Sequence, residues 1–247
     1  MVNPTLKEAF IKDSFNSLEG DSAMTVNGTI LKTCFLSLFT MGTFCYTWYL
    51  FLNGFLDKVS ILYNVGIFGG LILCFAICFM PKNKSLIVTT PLYAMCEGLA
   101  LGYISAIANK FYPGIVVQAT LGTFFAILGM FVLYSTKVIK CTEKFRAVIY
   151  TSLFAVLGVR ILELILGLFH LPTLGIFSNS LIGIGFSFIV IAVASFCLIV
   201  DFDNIESLSG RADKILEWYF GFSLLVTIIW LYIEILQLLM KFQSRNN

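Results

Sequence analysis

The chain has 247 residues, of which 59% are hydrophobic and only 12% charged, and its mean hydropathy is +0.93. That is too apolar to surround one water-soluble core, so the composition points to a polytopic membrane protein. The 16 Lys and Arg against 14 Asp and Glu leave a net charge of +2, with a single His and no CxxC pair, which sets aside nucleic-acid binding, a zinc site and a disulfide scaffold.

Residues 1–30 read as a polar cytoplasmic segment. They contain no apolar stretch and therefore no signal peptide. Phe10, Phe15 and Leu18 stand near helical spacing, which fits either a short interfacial helix or a polar tail. Residues 31–247 form the membrane domain. A helix crossing the hydrocarbon core needs about 20 apolar residues, and seven runs qualify: Leu31 to Leu52, Ile61 to Phe79, Leu86 to Ile107, Ile115 to Tyr134, Val148 to Leu168, Leu181 to Val200 and Trp218 to Leu239. The fold class is all-α, since membrane strands would be about half as long and would alternate in polarity.

Flanking charge sets the orientation. Lys7, Lys12, Lys32, Lys82, Lys84, Lys137, Lys140, Lys144, Arg146, Arg211 and Lys214 fall on one side of the alternating spans, and only Lys58, Lys110, Lys241 and Arg245 on the other. The positive-inside rule then puts the amino terminus in the cytoplasm and the carboxyl terminus across the membrane.

Small residues mark close packing. Ala94, Gly98, Gly102 and Ala106 recur every four residues in the third span, a stripe that lets helix backbones approach in lipid. Six of the seven cysteines lie within the runs and read as small buried hydrophobes, with Cys141 in a predicted cytoplasmic loop. No span has a proline at its middle, so no broken helix is expected.

Charges inside a bilayer need a partner or water, because an isolated one costs on the order of 3 kcal/mol. Glu97, Arg160, Glu163 and Glu234 are the intramembrane cases, and Asp201 with Asp203 closes the sixth span in LIVDFDNIE. Counted from the cytoplasmic end of each span, Glu97 lies about 16 Å deep, Arg160 about 18 Å and Glu234 about 24 Å. Arg160 has two readings: it pairs with Glu163 on its own helix, or carboxylates of other helices balance it inside the bundle. Asp201 and Asp203 line the interior or form a solvated helix end. Glu217, beside Trp218 and Tyr219, reads as an interfacial anchor.

These residues carry a resemblance. MTVNGTILKT (24–33), the stretch from Ala94 to Ser105 with its EG and LG pairs, IGFSFIVIAVASFCLIVDFDNIE and LEWYFGFSLLVTIIWLYIEILQLL together resemble the Bax inhibitor family, in particular its bacterial YccA-like branch. The resemblance implies six helices around a central seventh, a bacterial inner-membrane location and a calcium leak gated by two acids on the last two helices. Matching the D-x-[ND]-x-I string places the first acid at Asp201, and matching LYIE places the second at Glu234. Ca²⁺ would be held transiently by these two, and no resident cofactor is implied. The second acid is Glu where the family pattern has Asp, and 33 residues separate the two.

By the depth count, Asp201 and Glu234 meet only if the sixth helix continues through Asp203 and Glu206 and the seventh starts after Tyr219. Otherwise Glu217 is the acid level with Asp201. Two carboxylates in a poor dielectric share a proton and titrate as a pair, and deprotonation opens an anionic site for a hard cation. The leading reading is thus a pH-sensitive calcium or cation leak through Asp201, Glu234 and Glu97, with Asp203, Arg160 and Glu217 as accessory groups. A proton-coupled secondary transporter and a non-conducting scaffold for another membrane protein are the alternatives. Catalysis is not expected: Gly183 and Gly185 lead into Phe186 rather than the Asp of a GxGD motif, and His170 falls in a loop.

Overall fold

The structure is a computed structural model and describes residues 23–169 and 180–246. Phe10, Phe15, Leu18 and His170 lie outside the described residues. Seven helices occupy the rest: α1 (Val26–Leu52), α2 (Leu56–Phe79), α3 (Leu86–Phe111), α4 (Ile115–Ser135), α5 (Glu143–Leu168), α6 (Leu181–Leu208) and α7 (Leu216–Asn246). All seven are long and apolar enough to cross a membrane. Large apolar side chains face outward along them, among them Phe68 (64% exposed), Phe154 (70%) and Ile182 (75%), a surface suited to lipid. The protein is an integral membrane protein.

Cys34, Cys45 and Cys78 share that outward surface, which corrects the expectation that the cysteines are buried. A thiol is apolar enough for either setting. Half of the most apolar stretch of α6 and of α7 is buried, against about a fifth for α1, α2 and α4.

The chain divides into two compact units, one of residues up to Ile107 with Asn204–Leu225, the other of Ala108–Asp203 with Val226–Asn247.

In the first unit, α1 begins five residues before its apolar run because Thr25 caps it, its hydroxyl accepting from Gly28 N at 2.9 Å. The hydroxyls of Thr29, Thr33, Ser37, Thr40, Thr43 and Thr47 then bond to carbonyls of their own helix, which lets a threonine-rich face enter the apolar interior. The small-residue stripe of α3 packs on this face. A Cβ at Gly98 would collide with Thr43 and the Thr40 carbonyl, and one at Gly102 would stand 2.7 Å from the Phe44 carbonyl. Thr43 Oγ1 also donates to Met95 O at 3.0 Å. Pro91 sits in the second turn of α3, where it has no N–H to give the Ile87 carbonyl and the helix runs on. Ahead of α1, Ala23 and Asp213 form an antiparallel bridge, and Met24 exchanges 2.8 Å backbone bonds with Ala212 and Gly210. Gly210 has φ +74, a left-handed turn that ends the α6–α7 connection's helical path.

In the second unit, Thr142 caps α5 by accepting from Phe145 N at 3.2 Å. Close side-chain packing joins α4 to α7, where a Cβ at Gly122 would stand 3.3 Å from Ile235. Phe202 of α6 meets Phe131 and Tyr134 of α4, and Phe196 meets Phe145 of α5.

Candidate functional site

α6 does not stop at Val200. It runs through Asp201, Asp203 and Glu206 to Leu208, so the aspartates are helical residues and not a solvated end. No glycine or proline interrupts the chain between Val200 and Gly210. Asp201 is 9% exposed, and its Oδ2 accepts a 2.6 Å hydrogen bond from Thr227 Oγ1 of α7. Thr227 lies ten residues after Glu217 and seven before Glu234, about 15 Å and 10 Å along the helix. Asp201 is therefore level with a hydroxyl between the two acids of α7. Of the two extensions required for Asp201 and Glu234 to meet, that of α6 is present, whereas α7 already starts at Leu216.

Asp203 points elsewhere, since residues two apart on a helix face different sides. Arg146 of α5 donates to its Oδ2, and the Tyr134 hydroxyl of α4 lies 3.4 Å from Oδ1. Beside them in the α4–α5 connection, burial pushes the Cys141 thiol above its ordinary pKa and the Asp203 carboxylate pushes it further. Such a thiol stays protonated and is a poor nucleophile.

Glu234 is 3% exposed. Its Oε1 accepts from Arg160 Nη2 at 2.7 Å and from the Trp230 indole at 3.1 Å, and the same guanidinium reaches Gln237 Oε1 at 3.4 Å. Arg160 thus bonds to a carboxylate of another helix, 74 residues away. Further along α7, Lys241 is buried and donates to Gly183 O at 3.0 Å and Ser187 Oγ at 2.8 Å on the first turns of α6. As a flanking charge near the carboxyl terminus it gave no sign of this in the sequence.

The first unit holds the other two acids. Glu97 of α3 is half-buried, one turn after the buried Tyr93. It stands over Gly70 of α2, where a Cβ would come within 3.1 Å of its Oε1. Glu217 is enclosed, which corrects its reading as an interfacial anchor. Lys32 pairs with its Oε2, while Thr25 N (2.9 Å) and Thr25 Oγ1 (3.0 Å) donate to its Oε1. Gly28 makes the room: a Cβ there would collide with the carboxylate. Trp218 and Tyr219 flank this pair as expected for aromatic side chains at a span end, but the carboxylate itself turns inward onto α1.

Among the described residues, no three His, Cys, Asp or Glu side chains come together as a metal site. What the second unit offers instead is two buried acids on α6 and α7, one bonded to a hydroxyl and the other to a guanidinium. A hydroxyl serves either protonation state, donating to a carboxylate and accepting from a protonated acid.

Residues 3–244 match the family model described as Bax inhibitor 1 like. The chain belongs to that family. No curated protein matches it significantly. In this Bax inhibitor 1 like chain the stretches that carried the resemblance have distinct structural tasks. MTVNGTILKT supplies Thr25, Gly28 and Lys32 to the enclosure of Glu217. The glycines of the third span let α3 approach α1. The last two stretches supply Asp201, Thr227 and Glu234.

Proposed function

We propose that this Bax inhibitor 1 like protein is a pH-sensitive cation leak, with Ca²⁺ the leading cargo, controlled by Asp201 and Glu234. The observation that carries this reading is the short Thr227–Asp201 hydrogen bond in the interior. Because the hydroxyl can donate or accept, a proton can join or leave this acid without stranding its partner. Losing that proton leaves an anionic oxygen site suited to a hard cation. At Glu234 the Arg160 guanidinium fills the place a permeating cation would take, so the ion pair acts as a latch. Proton sharing between the two acids requires one of them to leave its partner, and they serve as successive stations, Asp201 on α6 and Glu234 on α7.

The reading involves no catalysis and no resident cofactor. The lysine and arginine bias supports a cytoplasmic amino terminus, and the resemblance to the YccA-like branch supports a bacterial inner membrane.

The test is Ca²⁺ flux into proteoliposomes between about pH 6 and 8. Flux rises with pH in the wild type, Asp201→Asn and Glu234→Gln flatten that dependence, and Arg160→Gln raises the leak by unlatching Glu234. Flux that neither acid substitution changes overturns the proposal. The Arg160–Glu234 pair also favours a proton-coupled carrier, because an ion pair that must exchange partners is a natural relay. Saturation with cargo and obligatory proton counter-movement identify that alternative, and absence of flux with a co-purifying membrane protein identifies a scaffold.

A further inference from the structure

The first unit contains a cavity of about 510 Å³ that the conduction reading does not use. Among the described residues, Lys32, Lys82, Lys84 and Lys214 line it, with Asp213 as the one acid. Its walls come from the start of α1, the α2–α3 connection, the first turn of α3, the α6–α7 connection and the start of α7. In a chain that crosses the membrane with each helix, all of these lie at the same, lysine-rich end of the spans.

The four lysines are not equivalent. Lys32 is neutralised by Glu217 and sits over the Trp218 ring, 5.5 Å from its centroid. Lys82 donates to the Ile77 carbonyl and, at 3.1 Å, to Cys78 O at the end of α2, and lies 4.2 Å from the centre of the Tyr219 ring. Burial holds its ammonium below the usual lysine pKa. Lys84 and Lys214 are exposed, and among the described residues their ammonium groups have neither a hydrogen bond nor an ion pair. Asp213 is occupied locally, its Oδ1 accepting from Ile215 N at 3.0 Å. Ammonium groups drawn around one cavity repel each other, and an anion relieves that repulsion.

The apolar part of the lining selects the kind of anion. Ile87, Ile215 and Trp218 are the apolar members of the lining, and Val88, next to Ile87 in α3, faces outward. A free phosphate ion would use only the lysines. An anionic phospholipid uses both, with its headgroup among the lysines and its glycerol and first methylenes against the isoleucines and the tryptophan. Aromatic rings at headgroup depth and basic pockets between spans are the features by which membrane proteins hold such lipids. We infer that this cavity is a binding site for the headgroup of an anionic phospholipid, with Lys84 and Lys214 supplying the phosphate contacts.

Native mass spectrometry of the full-length protein tests this. The protein is released from nanodiscs containing equal phosphatidylglycerol and phosphatidylcholine. The wild type retains one phosphatidylglycerol at least tenfold in preference to phosphatidylcholine, and Lys84→Gln/Lys214→Gln removes the preference. Among the described residues neither ammonium group has a structural partner, so the double variant folds. Lys140→Gln/Lys144→Gln, which removes the same charge from residues outside the cavity lining, leaves the preference intact. Equal retention of the two lipids overturns the inference, as does equal loss in both double variants. Displacement of the lipid by millimolar inorganic phosphate also overturns it, by showing a site for the free anion.

Discussion

Two buried carboxylates, one in each unit, are handled in opposite ways. Glu217 is closed in by a lysine, a backbone amide and a hydroxyl, in space that exists only because residue 28 has no side chain. Asp201 takes a short bond from the neutral hydroxyl of Thr227. The first arrangement needs the acid charged and fixed, because Lys32 would otherwise stand beside a neutral group. The second accepts the acid in either state. Burial alone therefore does not mark a functional carboxylate; the chemistry of its partner does.

The largest expected effect breaks the comparison if it fails. Glu217→Leu strands Lys32 and the Thr25 amide, and lowers stability by about 3 kcal/mol, as for removal of one partner of a buried pair. Asp201→Asn keeps an oxygen for Thr227 and changes stability by less than about 1 kcal/mol. Thermal aggregation midpoints in detergent measure both, and equal losses would show that the two acids are built alike.

Next come the glycines. Gly28→Ala drives a methyl into the Glu217 carboxylate and costs about 1–3 kcal/mol. Combining it with Glu217→Ser relieves the clash, so the two losses add to less than their sum, which a double-mutant cycle reads directly. Gly98→Ala meets the Thr40 backbone, which cannot move aside, and no second substitution at Glu217 rescues it.

A smaller change sharpens the contrast on the Asp201 side. Thr227→Ser preserves the hydroxyl and the pH profile of flux, whereas Thr227→Val removes about 1 kcal/mol of hydrogen bonding and shifts the midpoint of that profile. The smallest effect is the control. A Cβ at Gly158 would meet nothing within 4 Å. Gly158→Ala therefore stays within about 0.5 kcal/mol of wild type by the same aggregation assay.

The helices were legible in the sequence because a span is a local property: some 20 apolar residues announce themselves without reference to the rest of the chain. The start of α1 and the end of α6 were less so, since a threonine cap and polar helical residues such as Asp203 and Glu206 extend a helix beyond its apolar run. Partnerships of charge were hardest to see. Arg160 carries a near neighbour in sequence, Glu163, yet bonds to Glu234, and the partner of Glu217 lies 185 residues earlier. Periodicity reports which residues share a helix face and is silent about which face meets which. Trp218 and Tyr219 correctly mark a span end, and that local signal conceals the inward turn of the acid between Leu216 and Trp218.

The stitch between Met24 and residues 210 and 212 bears on how the protein is made. A ribosome must translate most of the polypeptide before the start of the first helix can find its seat. Until then the insertion machinery has to shelter a glycine-notched helix carrying an unmatched lysine. A nascent chain that terminates ahead of Gly210 would enter the membrane without this closure and present itself to quality-control proteases.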